Sequence, residues 1–202
     1  FGYMKTMAKD DNARGSASTR SAVARLSNAI SLEPYQGELE FLTNMGLAKR
    51  QNLDNGIAQS EIHRSYYAYT ISVDLDRVGI DGEINVSNEE KAKRVKTLLE
   101  TVQYLYRDIR GRRENLSPLF IIGGNYERKN PFFENIVKID NNMINVNTLA
   151  EMKESNEDLE KSTIVGVTSG IFNNDSQIKE KLGAVTIAEA FGEFKKKVDE
   201  YY

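Results

Sequence analysis

The sequence predicts an α+β fold, and three observations carry that prediction. Across residues 62–78, Tyr67, Tyr69, Ile71, Val73 and Leu75 fall on one side of a two-residue period. Ala68, Thr70, Ser72, Asp74 and Asp76 fall on the other, which is the pattern of a half-buried strand. Across residues 92–109, Ala92, Val95, Leu98, Leu99, Val102, Leu105, Tyr106 and Ile109 recur at spacings of three and four, the stripe of an amphipathic helix. Residues 119–122 form a short apolar run ended by Gly123-Gly124, as a buried strand is.

Taken in order, residues 1–19 are rich in Gly, Ser, Ala, Lys and Asp and read as a loop. Residues 20–34 mix small, apolar and basic side chains and end at Pro34; they read as a strand. Residues 36–60 carry turn signals at Gly37, Gly46 and Asn55-Gly56, with a helix-like piece over 39–47. They read as an arm inserted between two strands. After the strand at 62–78, Asp81-Gly82 marks a turn, and Ser87 with Glu90 three residues on opens the long helix in the capping-box pattern. Gly111 suits the stop of that helix. Short strands are expected over 136–139, 143–146 and 163–168. Ser176 is placed to cap a helix that stops at Gly183, and Thr186 with Glu189 opens a last helix burying Ile187, Ala190, Phe191, Phe194 and Val198. The strand at 62–78 and that at 119–122 are expected in one antiparallel sheet with residues 20–30. The order of elements matches the last four of a ferredoxin-like βαββαβ unit.

Composition narrows the chemistry. A chain of 202 residues sets a prior of one domain, here 1–202 with the arm inside it. Its mean hydropathy is -0.53 and no long apolar run occurs in it, so a cytoplasmic protein without a membrane partner is expected. Zero cysteines exclude disulfides, thiolate catalysis and cysteine-based zinc sites. A single histidine, His63, excludes multi-histidine metal centres. No catalytic residue, metal ligand set or cofactor motif is assigned: Gly123-Gly124 lacks the context of a nucleotide-binding loop. Asp74, Asp76 and Asp81 could gather a magnesium ion, but a polar strand end explains them better.

The net charge of -3 conceals an uneven distribution. Residues 12–32 hold Arg14, Arg20 and Arg25 and no acid. Residues 104–129 hold six basic residues (Arg107, Arg110, Arg112, Arg113, Arg128 and Lys129) against three acidic ones. A mildly acidic chain can present a basic face, and the face is what meets phosphate. RDIRGRREN, residues 107–115, is the sharpest signal: arginines around a helix end can bind phosphates, although a helix C-terminus favours cations for its own sake. Tyr66, Tyr67 and Tyr69 could stack bases, with Tyr66 the best placed by strand alternation. His63 beside Arg64 could serve a metal-independent ribonuclease as general acid or base; contact without chemistry is the plainer role.

Four phrases together resemble a known family: RSAVARLSNAISLEPYQGELEFLTNMGLAKR, SEIHRSYYAYTISVDLDRVGIDG, EEKAKRVKTLLETVQYLYRDIRGRRENLSPLFIIGG and KNPFFENIVK. They are similar to the backbone subunit of type I-B CRISPR Cascade, the Cas-seven family in its DevR-type autoregulator branch. The resemblance implies a modified RNA-recognition-motif fold, ferredoxin-like with inserted arms, and no catalytic activity. It implies copies stacked head to tail along a CRISPR guide RNA (crRNA), other Cascade subunits as partners, and guide segments left free to pair with a target DNA strand. Members carry a further N-terminal strand and helix, expected to be missing here. The family's contacts to guide RNA would fall on Arg20, Ser21, Arg25 and Asn28, with Arg112 and Arg113 as further candidates. The competing role for these arginines is pairing with carboxylates such as Glu33 or Glu61. The competing functions are a ribonuclease using His63 and a DNA-binding autoregulator.

Overall fold

The computed structural model describes residues 2–6, 17–52, 54, 56–109 and 111–202; Arg14, Asn55 and Arg110, named above, lie outside them. The chain divides into two compact units, Ala29–Ala68 and the remainder, Phe1–Asn28 with Tyr69–Tyr202.

The larger unit mixes helices and strands. Tyr3–Thr6 pairs antiparallel with Ala17–Arg20, where a loop was expected. Gly2 is needed at this start, because a Cβ there would lie 2.5 Å from the Arg20 carbonyl oxygen. Ala24–Leu26 pairs antiparallel with Ile71–Val73, setting Ala24 opposite Val73 and Arg25 opposite Ser72. A single 3₁₀ turn, Leu75–Arg77, follows, and then a small hairpin of Ile80–Asp81 with Ile84–Asn85. The helix Asn88–Gln103 begins on the Ser87 hydroxyl, which accepts from the Glu90 backbone N–H at 3.4 Å. It packs against the last helix, Ile187–Tyr201, around Val78, Ala92, Val95 and Val198, with Val23, Val73 and Leu75 against that cluster.

Elsewhere in this unit Phe120–Gly123 pairs antiparallel with Ile164–Val167. The helices Val146–Lys153, Glu157–Ser162 and Asp175–Leu182 and the last helix supply the most buried side chains: Leu149, Leu159, Ile178 and Phe191 are fully buried. The expected last capping box is present in full: the Glu189 N–H donates to the Thr186 hydroxyl, and the Thr186 N–H donates to the Glu189 carboxylate. Gly183 stops the preceding helix at φ 65°, as expected.

The smaller unit is built on a long hairpin. Gly37–Thr43 pairs with Ile57–His63 over seven residue pairs, and the helix Met45–Gln51 sits between the two strands. Opposed residues share a face, so Leu39, Phe41 and Ile57 lie on one side together with Thr43, Gln59 and Glu61, and all three apolar side chains are exposed within this chain. A short ladder of Ile30–Ser31 with Tyr67–Ala68 completes the unit.

Several expectations are corrected. Residues 39–47 are mostly strand: Leu39, Phe41 and Thr43 alternate with Glu38, Glu40 and Leu42, an imperfect two-residue period, and helix begins only after Asn44. The strand at 62–78 is broken into three pieces. At the first break the Ser65 hydroxyl and the Tyr66 N–H both donate to the Glu33 carboxylate, at 3.1 Å each. At the second the Thr70 N–H takes the Ser27 hydroxyl instead of a ladder carbonyl. Tyr67, on the side of that strand expected to be half-buried, is exposed. The long helix stops at Gln103, and Tyr106–Ile109 pairs with Arg112–Asn115 across Gly111, whose φ of 75° serves a hairpin turn rather than a helix stop. Asn174, not Ser176, precedes the helix Asp175–Leu182, with Ser176 already inside it. The strands expected at 136–139 and 143–146 contract to Ile139–Asp140 and Met143–Ile144, turning on Asn141 and Asn142 at positive φ. The single sheet is not formed. Phe120–Gly123 pairs with Ile164–Val167, and no ladder among the described residues joins that pair to Ala24–Leu26 and Ile71–Val73.

Candidate nucleic-acid interface

Alternation along Ala24–Leu26 and Ile71–Val73 separates two faces. Ala24 and Val73 are directly opposed, and Val73 packs on the helical cluster, so Arg25 and Ser72 lie on the face turned away from it. Asp74, two residues after Ser72, is buried on the Arg25 side and its carboxylate accepts from the Arg25 guanidinium at 3.1 Å. Arg77 approaches the same oxygen, Oδ2, at 3.8 Å. Both arginine side chains stay about half exposed, at 52% and 50%. The backbone fixes this arrangement: the Asp74 N–H donates to the Val23 carbonyl at 2.8 Å, and the Arg77 N–H to the Asp74 carbonyl at 2.9 Å. Sequence reading named Arg25, weighed Asp74 as a metal ligand or, better, as part of a polar strand end, and missed Arg77. The signal was the three-residue spacing in DLDR, which brings an acid and a base to one turn.

Arg20 pairs with Asp81 at 3.3 Å and donates to the Ile80 carbonyl at 3.2 Å. It therefore does have a carboxylate partner; within the smaller unit the Glu33 carboxylate serves Ser65 and Tyr66. Ser21 and Asn28 are exposed on either side of Ala24–Leu26. Arg112 and Arg113 stand apart from this group, on the hairpin Tyr106–Ile109 with Arg112–Asn115. No helix end gathers them. Arg113 is bonded to Asp108, which raises its pKa, and lies 4.6 Å over the Tyr106 ring. Being neighbours on a strand, the two arginines point to opposite faces.

His63 sits in an aromatic cluster within the smaller unit. Its ring stacks on Tyr35 at 5.0 Å, its edge meets Tyr67 at 5.7 Å, and Nδ1 is hydrogen-bonded to the Tyr67 hydroxyl. Nε2 is buried without a hydrogen-bond partner. The ring is thus held by its neighbours, with no carboxylate among the described residues to orient it.

The three aspartates weighed as a magnesium site are each committed to cations. Asp74 faces Arg25 and Arg77, Asp76 accepts from Lys129 at 2.7 Å through both oxygens, and Asp81 faces Arg20. The Lys129 hydrogen bond holds the Asp76 carboxyl below the usual carboxylate range. Among the described residues no group of three or more His, Asp or Glu side chains is placed to hold a metal ion.

No helix among the described residues is long and apolar enough to cross a membrane. Neither a curated protein nor a solved structure matches the chain. The model of a family described as the CRISPR-associated negative auto-regulator DevR/Csa2 does match, over residues 1–164. That span holds every arginine placed above and all four phrases that carried the resemblance, and a match over most of the chain makes it a member of the DevR/Csa2 family, a CRISPR-associated protein of the Cas-seven type.

Proposed function

We propose that the chain is a cytoplasmic, non-enzymatic, guide-RNA-binding backbone subunit of a CRISPR surveillance complex of type I-B. Copies of it polymerise along crRNA beside other Cascade subunits and present the guide for pairing with a target DNA strand. The observation that carries the reading is Arg25, half exposed on the face of its ladder turned away from the helices and braced by a buried carboxylate. An open strand face carrying fixed cations suits the sugar-phosphate backbone of a single strand, and a subunit that accepts any guide must read backbone rather than base edges.

Two further features support it. Ala24–Leu26, Ile71–Val73, Asn88–Gln103 and Phe120–Gly123 follow one another as strand, strand, helix and strand, the order of a ferredoxin-like, RNA-recognition-motif-like core with the smaller unit inserted. The exposed Leu39, Phe41 and Ile57 on one side of that inserted hairpin, interleaved with Gln59 and Glu61, give a mixed surface that a neighbouring copy would cover.

The test is stoichiometry and sequence preference. On guide RNAs of unrelated sequence, several copies per RNA should bind with similar affinity, and Arg20→Ala and Arg25→Ala should weaken all sequences alike. One copy per RNA whatever its length would overturn the reading. The family's description as a negative auto-regulator favours a second reading, in which the protein binds DNA to repress its own expression. Tighter binding to its own promoter duplex than to guide RNA, at one fixed salt concentration, would select it. Metal-independent cleavage of repeat RNA that disappears in His63→Ala would make the protein an enzyme instead.

A further inference from the structure

We infer that Arg77 and Arg25 form a two-arginine clamp, positioned by the buried Asp74 carboxylate, that takes one phosphodiester of single-stranded RNA. The inference rests on the guide-RNA reading above and assigns it a specific site.

The charge count is the starting point. Asp74 is 9% exposed, and a carboxylate so far out of water needs partners. It has two, and both approach one oxygen, at 3.1 and 3.8 Å. One negative charge shared by two guanidiniums leaves the group net positive. Asp76 is also attracted to Arg77, but it comes with Lys129 on both of its oxygens, so including that pair leaves the group net positive. Each guanidinium has five N–H donors in a rigid fork, and one acidic oxygen cannot use them all. Half of each side chain remains exposed, and both guanidiniums approach one oxygen of a common anchor. Sharing that anchor keeps the two forks within reach of a single tetrahedral anion, and charge-assisted bonds from arginine to phosphate are the strong ones.

The support beneath is rigid. Arg25 comes from a strand and Arg77 from a 3₁₀ turn. The Tyr202 hydroxyl donates to the Leu75 carbonyl, so the last helix pins that turn to the helical cluster. The clamp is therefore set before RNA arrives, which lowers the ordering cost of binding. Arg77 is a binding residue here, and Asp74 is a positioning residue that acts through the arginines.

The experiment uses the full chain with unstructured RNA oligonucleotides of two unrelated sequences, titrated at several salt concentrations beside thermal melts of each variant. Arg77→Ala should weaken both RNAs roughly tenfold and make the salt slope shallower by about 0.7, the value of one phosphate contact on a single strand. Arg77→Lys should keep the slope and recover only part of the affinity, because a point charge replaces a fork. Asp74→Asn is the sharpest arm. It makes the protein more positive, so an acid that merely stood by would, once removed, tighten binding. A positioning acid would, once removed, loosen it per folded molecule. Arg94→Ala, a helix arginine paired with Glu90, should change nothing. An Arg77→Ala variant with unchanged affinity and slope overturns the inference, as does tighter binding by folded Asp74→Asn. If Asp74→Asn fails to fold, Arg77→Ala decides alone. A wild-type chain that binds neither RNA overturns the guide-RNA reading itself, whereas binding that ignores Arg77 overturns only the clamp.

Discussion

Arg113 faces Asp108 directly across its hairpin and closes two hydrogen bonds on that carboxylate, from Nε at 2.9 Å and from Nη2 at 3.2 Å. Its neighbour Arg112 lies opposite Ile109, which offers it no charge. Two arginines that look equivalent in sequence are thus different: one is engaged by its own chain, and the other has no carboxylate partner among the described residues. Arg112→Ala should make the salt slope of RNA binding shallower by about 0.7. Arg113→Ala should leave that slope alone and slightly lower the melting temperature, because an exposed pair contributes little to stability. Equal slope changes in the two variants would refute the distinction.

The arginines of this chain show where sequence reading stops. That Arg25 would be presented on a strand was legible from its setting between small and apolar residues. Its partner was not, because Asp74 is 49 residues away and reaches Arg25 only through ladder pairing. The period of three and four ran on past Gln103 through Leu105, Tyr106 and Ile109, and the one local signal, Gly111, read equally well as a helix stop. The cross-strand pair of Asp108 and Arg113 and the turn at Gly111 decided it. Capping signals fared better: Thr186 with Glu189 and Gly183 act within one turn, so sequence alone contains the whole interaction. The strand at 62–78 failed for the opposite reason, since side chains from Glu33 and Ser27 claimed its backbone donors.

Gly166 measures how closely the last helix approaches the strand Ile164–Val167. A Cβ at this position would lie 2.7 Å from the Ala190 Cβ and 3.0 Å from the Ile121 Cγ2. Both are short, stiff side chains in a packed interior and have little room to move. Gly166→Ala should destabilise the fold by about 1–3 kcal/mol, the usual cost of overpacking. Chemical denaturation with an unchanged denaturant slope is the measurement. Wild-type stability would mean that the helix moves away freely.

The capping box predicts behaviour in acid. The Thr186 backbone N–H and then its hydroxyl hold the Glu189 carboxyl below the usual carboxylate range. A lowered folded-state pKa gives stability that is present above the ordinary carboxyl range and is lost as pH falls through the folded value. Glu189→Gln carries no such charge. Its melting temperature should lie below wild type at neutral pH, and the gap should close as pH falls below about 4. A gap independent of pH would mean that the carboxylate charge contributes nothing to the cap.

Tyr126 predicts the opposite limb. Burial pushes its phenol up to about 12; the hydrogen bond with the Thr163 hydroxyl at 3.0 Å works against that rise, and the Asp158 charge adds to it. A raised folded-state pKa means that the native state holds its proton more tightly than the unfolded chain. The stability involved is fully present below about pH 10, where the unfolded tyrosine begins to ionise, and is lost as pH rises through the folded value. Tyr126→Phe keeps the ring, and so the edge contact with Phe132 at 5.4 Å, but forfeits the bond to Thr163. At neutral pH the variant should be less stable by about 1 kcal/mol, the net value of one hydrogen bond. Phenylalanine has no proton to lose, so the deficit should shrink as the buffer passes about pH 10, and the variant should overtake wild type at higher pH. Tyr202, also pushed up to about 12 chiefly by burial, titrates in both proteins, so each curve still falls in strong alkali and only their difference reports Tyr126. Paired melts from about pH 8 to about pH 11, with phenolate absorbance followed in the same samples, give that difference directly. A deficit that stays constant over the range would show that Tyr126 ionises as freely in the native protein as in the unfolded chain.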